Sequence, residues 1–172
     1  MVQLKLPEFK VAVVLEKQEK RVKSWISYEW EVAAILSDKE GPDSLEGPIT
    51  IRESTQTSQY LWKGLKIKLY IDAAEGYWYN LLSEVPYAFI VCELDAVEDD
   101  AVPIPHLVTI SQDEAGAHLE TDSLVLSGPL PADIRDSAEQ FVVNNYIPQV
   151  KKKRKRRDWY KESLRNQPPS TN

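Results

Sequence analysis

The stretch Tyr60–Cys92, YLWKGLKIKLYIDAAEGYWYNLLSEVPYAFIVC, constrains the fold more than any other part of the chain. Leu65, Ile67, Leu69 and Ile71 alternate with Lys66, Lys68, Tyr70 and Asp72. A period of two puts the aliphatics on one face of a strand and the polar groups on the other. Burying the four aliphatics contributes roughly 6–12 kcal/mol before chain entropy is subtracted. Gly76 closes an acidic turn after Asp72, and Tyr77, Tyr79 and Leu81 alternate with Trp78 and Asn80, which predicts a second strand returning beside the first. Tyr87–Cys92 is apolar without a break and predicts a central strand covered on both faces. Three antiparallel strands are therefore expected here.

Before this stretch, Phe9–Leu15 reads as a strand, Glu16–Ser24 (EKQEKRVKS) as a solvated loop, and Trp25–Leu36 as a longer strand. Alternation places Ile26, Tyr28, Trp30, Val32, Ala34 and Leu36 on one face of that longer strand. Gly, Pro and Asp make 37–48 a loop, and Ile49–Arg52 a short edge strand. After it, the acidic run Asp95–Asp100 marks a surface loop, and Leu107–Ile110 a further strand. Ser111 then opens SQDE, a capping box in which Ser111 accepts from the Glu114 amide while Glu114 reaches back to the Ser111 amide, so a short helix to about Leu119 is predicted. Leu124–Leu126 reads as a strand. Pro131 opens a long helix, with Ile134, Ala138, Phe141, Val142 and Tyr146 at helical spacing, that Pro148 ends. The expected fold class is α+β: β-rich, a largely antiparallel sheet or partly closed barrel, with one long C-terminal helix and one short helix. Residues 1–150 form one domain in this reading, and 151–172 a basic, flexible tail.

The charge distribution supports that division. Positions 1–150 hold 12 basic against 25 acidic residues, a formal −13, whereas Lys151–Arg157 is an unbroken run of seven cations. An acidic body bearing a cationic tail follows. Lys151, Lys152, Lys153, Arg154, Lys155, Arg156 and Arg157, followed by Trp159 and Tyr160, suit an anionic membrane surface, a nucleic-acid backbone or an acidic protein; a plain solubilising tail is the bland alternative. One cysteine excludes an intrachain disulfide. The longest apolar run near the N-terminus, Val11–Leu15, is far shorter than the roughly 20 residues of a membrane span. A cytoplasmic protein is expected, one able to visit the inner face of the membrane.

No catalytic constellation emerges. There is no G-x-S-x-G elbow, and six scattered glycines build neither a G-x-x-x-x-G-K-[ST] loop nor a G-x-G-x-x-G turn. Cys92, His106 and His118 lack the spacing of zinc ligands, and Glu98, Asp99 and Asp100 lack a calcium-loop pattern, so neither a metal nor a cofactor is expected. Glu75, Tyr77 and Asn80 are the more distinctive polar group: a carboxylate, a phenol and an amide around one turn. They form either a binding site or a set of contacts that satisfies turn backbone.

In order and spacing, VAVVLE (Val11–Glu16), WISYEWEVAAIL (Trp25–Leu36), AEGYWYNL (Ala74–Leu81), VTISQDEAGAHL (Val108–Leu119) and FVVNNYIPQVKKKRKRR (Phe141–Arg157) resemble the bacterial family of unknown function 3305, small proteins associated with formate dehydrogenase gene clusters. Glu75, Tyr77 and Asn80 fall on that family's E-x-Y-x-x-N-L pattern, while Asn145 and Tyr146 stand where a histidine pair is expected. The resemblance implies a non-catalytic accessory factor in maturation or assembly of a molybdenum- or tungsten-dependent formate dehydrogenase. Its partner would be the enzyme itself or one of its maturation proteins. The alternative is a peripheral adaptor that binds an anionic membrane surface or, less favoured, nucleic acid through the tail.

Overall fold

A computed structural model of the protein describes residues 5–94 and 101–148. Along the chain these form β1 (Glu8–Val22), β2 (Trp25–Ser37), β3 (Glu46–Glu53), β4 (Thr57–Lys68), a 3₁₀ turn (Ile71–Ala73), α1 (Ala74–Leu81), β5 (Tyr87–Glu93), β6 (Ile104–Thr109), α2 (Gln112–Leu119), β7 (Leu124–Pro129) and α3 (Ala132–Asn145). The strands make one sheet in the order β2-β1-β4-β6-β5-β7, with β3 also paired to β4. Every pairing is antiparallel except β4 with β6, which meet in parallel at Ile67 and Val108. The sheet curls until β7 lies against β2, giving a nearly closed barrel. Gly128 permits that approach: a Cβ there would lie 2.7 Å from Val32 Cγ1 and 3.3 Å from Ile35 Cδ1.

The barrel interior is filled by Val11, Val13 and Leu15 from β1, Trp62, Leu65 and Ile67 from β4, and Ala88, Ile90 and Cys92 from β5. Trp62 and Leu65 reach the same face because β4 bulges between them, opposite Val11 and Val13. Gly64 stands in that bulge at φ +81, where a Cβ would lie 1.9 Å from the Ser44 carbonyl oxygen. Tyr77 and Leu81 of α1, and Ile134, Ala138, Phe141 and Val142 of α3, belong to the same core, so the two helices close over it. α2 packs on β5 and β7 instead, on the side to which fully buried Val91 points.

β5 is the central, doubly covered strand expected, and Trp25–Leu36 is a strand as expected. Several other expectations need correction. Tyr77–Leu81 is not a returning strand but the second half of α1, because Ala74, Tyr77 and Leu81 also share a face at 3.6-residue spacing, and burial selects that set. Tyr79, which a strand would have turned inward with Tyr77, is exposed. β4 and β5 consequently do not pair, since β6 lies between them. Glu16–Val22 is not a loop: β1 continues through it, paired to β2 as far as Val22 opposite Trp25. Charge there reports solvent on both faces, not the backbone state. In β2 the register slips at Ala33, so Ile35 is buried and Leu36 exposed, the reverse of simple alternation. The helices are three short ones in place of one long and one short; α3 has 14 residues.

The α2 cap is half of what the capping box predicts. Ser111 Oγ accepts from the Glu114 amide at 3.2 Å, but the Glu114 carboxylate accepts from Thr109 Oγ1 at 2.5 Å, and the Ser111 amide donates to Thr109 Oγ1 at 3.0 Å. Thr109 is thus interposed in the reciprocal bond.

Candidate functional site

α1 carries Glu75, Tyr77 and Asn80, and the fold gives each a different environment. Tyr77 is fully buried; its ring lies 6.4 Å from that of Phe141, and its hydroxyl accepts from the Tyr70 amide at 3.1 Å. Burial pushes its phenol above the ordinary tyrosine range. Asn80 is engaged with backbone at both ends of its amide. Nδ2 donates to the carbonyls of Tyr87 at 2.7 Å and Ile110 at 2.9 Å, and Oδ1 accepts from the Tyr87 amide at 3.0 Å. It ties α1 to the first residue of β5 and to the end of β6. Two members of the trio are therefore held by the backbone around the helix.

Glu75 faces outward. With Asp72, Asn145, Tyr146 and Ile147 it lines an open cleft of about 520 Å³. The Tyr146 phenol is held above its usual range first by desolvation and then by the Glu75 charge. Beside the cleft, Trp78, Leu81, Leu82, Glu139, Val142 and Val143 line a smaller groove of about 190 Å³ between α1 and α3. Trp78 tilts against Tyr146 at 5.9 Å. Leu82 is 62% exposed and Val143 70%, and Tyr79 and Ile147 are exposed near them in sequence. The sequence signal for this groove is the helical spacing of Trp78 and Leu82, which a period of two conceals.

His106 and His118 come together, edge to face at 5.9 Å between ring centroids, whereas Cys92 points into the core. Among the described residues no three His, Cys, Asp or Glu side chains are grouped to hold a metal. Burial pushes the Cys92 thiol up to about 12. Cys92 in the native protein is accordingly expected to resist Ellman's reagent at pH 8 and to react fully once urea unfolds the chain; rapid labelling without denaturant would contradict its burial. A cleft of about 510 Å³ between β4 and β6 includes Lys66, Lys68, His106 and Glu114. Both lysines bridge Glu8, at 3.1 and 3.4 Å, and hold that carboxyl below its usual range.

The distal halves of β1 and β2 extend beyond the core as an arm. Trp30 and Tyr60 continue the interior face outward, 5.8 Å apart, and Lys17 Nζ lies 4.1 Å over the Tyr28 ring. On the other face Glu16 accepts from Gln18 at 2.8 Å and from Gln59, and its carboxyl is lowered by those bonds. Lys151–Arg157, Trp159 and Tyr160 lie outside the described residues, as do Glu98–Asp100. No helix among the described residues is long and apolar enough to cross a membrane.

The profile of one family, described as a protein of unknown function (DUF3305), matches residues 10–156. No curated protein and no solved structure matches the chain.

Proposed function

The chain belongs to the DUF3305 family, and from that premise we propose that it is a non-catalytic accessory factor that binds a protein partner through the outward surface of α1 and α3. The observation that carries this reading is the division of labour along 74–82: Tyr77, Asn80 and Leu81 anchor the helix and Trp78 is half-buried against the core, while Tyr79 and Leu82 are exposed, as is Val143 across the groove. An apolar surface of this kind, edged by Asp72, Glu75 and Glu139, suits an apolar contact with a basic rim on the partner. The association with formate dehydrogenase gene clusters that the family resemblance implies is what favours that enzyme, or a protein of its maturation, as the partner.

Leu82→Asp combined with Val143→Asp is expected to reduce capture of the partner from the native cell by about thirtyfold, the effect of losing contacts worth about 2 kcal/mol, while leaving the thermal midpoint near that of the parent. Undiminished capture would remove the surface from consideration. Deleting the gene tests the role itself: formate oxidation with normal activity and normal cofactor loading would refute it. A second reading, a peripheral adaptor for anionic membrane or nucleic acid, is favoured by the seven consecutive cations Lys151–Arg157 before Trp159 and Tyr160. Binding that survives removal of that run would exclude it.

A further inference from the structure

We infer that the tip of the β1–β2 hairpin is an insertion element for an anionic lipid surface. The β4 ladder on β1 ends at Gln18 opposite Thr57, with one further bond from the Glu19 amide to the Gln56 carbonyl, so beyond Glu19 the arm is a two-stranded ribbon of β1 and β2. Residues facing each other across a ladder share a face. Val22 and Trp25 therefore stand on one face, and Ile26, opposite Arg21, on the other, with Tyr28 behind it. All four are exposed, Trp25 by 79%. Between Lys20 and Tyr28 the sequence KRVKSWISY contains Lys20, Arg21 and Lys23 and no carboxylate. Lys23 occupies the apex of the two-residue turn at φ 56. The nearest acidic groups, Glu19 and Glu29, stand behind the tip, where they hold Arg21 at 3.2 Å and Lys20 at 3.5 Å in exposed pairs that lipid phosphates can replace.

A cross-strand Val22–Trp25 contact would help close the turn, and that accounts for one face alone. Ile26 on the opposite face has no such role. A protein docking onto a sheet covers one face and leaves the other wet. A headgroup layer surrounds the tip on every side, takes Trp and Tyr at its own depth, and supplies phosphates to the surrounding cations. The direction of the arm fits as well. β1 runs about 50 Å from Glu8 to Val22 at the rise of a strand, and the Glu8 end is the one beside Leu69, the 3₁₀ turn and α1. A docked hairpin would leave the α1–α3 surface facing away from the lipid. The inference stands without the partner-binding reading.

The test is sedimentation of the full chain with vesicles of phosphatidylcholine and phosphatidylglycerol in equal parts, against phosphatidylcholine alone. Binding to the anionic vesicles is expected. Trp25→Ala and Ile26→Ser, made separately, should each weaken it by about tenfold, and Lys20→Gln and Lys23→Gln by about fivefold each. Chain lacking Lys151–Arg157 should keep its dependence on Trp25. An unchanged thermal midpoint checks that each variant folds, and Trp25→Phe, which retains an aromatic tip, should restore most of the binding if Trp25→Ala does not fold. Absence of binding to anionic vesicles overturns the inference. So does binding indifferent to both faces of the tip, which assigns it to the tail, or a response to Trp25 but not Ile26, which makes the contact one-faced and not an insertion of the tip.

Discussion

Replacing Tyr77 by alanine is expected to lower the unfolding free energy by about 3–5 kcal/mol, the range for deleting a large aromatic from a packed core. Tyr77 is fully buried between the barrel and α3, with Phe141 across from it. Two losses combine. The missing ring leaves a cavity where α1 meets α3, and the missing hydroxyl leaves the Tyr70 amide without the acceptor that now stands 3.1 Å away. Tyr77→Phe separates them, because it keeps the ring; its cost should be about 0.5–1.5 kcal/mol. Urea titration of the three proteins measures both steps. Equal stabilities for Tyr77→Ala and the parent would mean that α1 does not pack as described. The same cavity loosens the mounting of Trp78 and Leu82, so partner capture should fall with Tyr77→Ala and persist with Tyr77→Phe.

What was legible in the sequence was local. The Ser111 cap, the start of α3 after Pro131 and the unbroken apolar run of β5 each depend on residues within a few positions of one another. What was not legible depends on partners far away in the chain. AEGYWYNL fits a strand at period two and a helix at period 3.6 with nearly the same inward set, and only Tyr79 distinguishes them by its exposure. Glu16–Val22 became a strand because ladders from β2 and, as far as Gln18, from β4 satisfy its backbone, while its side chains remain those of a loop. The slip at Ala33 that turns Ile35 inward has no marker in WISYEWEVAAIL. The candidate site divides in the same way. Glu75, Tyr77 and Asn80 stand out by their chemistry, but their surroundings are set by Tyr146, Tyr70, Tyr87 and Ile110. The groove beside them is completed by Val143, from a helix whose own pattern directs attention to its buried face.

Asn80→Ala is expected to cost roughly 1–3 kcal/mol, the second-largest effect, and it bears most directly on what the motif is for. Truncation removes both donations and the one acceptance that hold α1 to β5 and β6. Water can reach the vacated groups at Tyr87, which is exposed; the Ile110 carbonyl belongs to a fully buried residue and would lose its partner outright. Asn80→Asp sharpens the test, since it keeps the acceptor for the Tyr87 amide but turns an ionised oxygen toward two carbonyls. The protonated acid can donate to one of them, so folding should raise this carboxyl above its unfolded value near 4. A group raised on folding contributes stability below its unfolded pKa and loses it as pH rises through the folded one. Asn80→Asp should therefore lie closest to the parent in acid and fall increasingly below it toward neutral pH, whereas the deficit of Asn80→Ala should vary little across the same range. If instead both variants remain as stable as the parent while partner capture disappears, Asn80 touches the partner, and the motif is a contact surface on its inner side as well as its outer one.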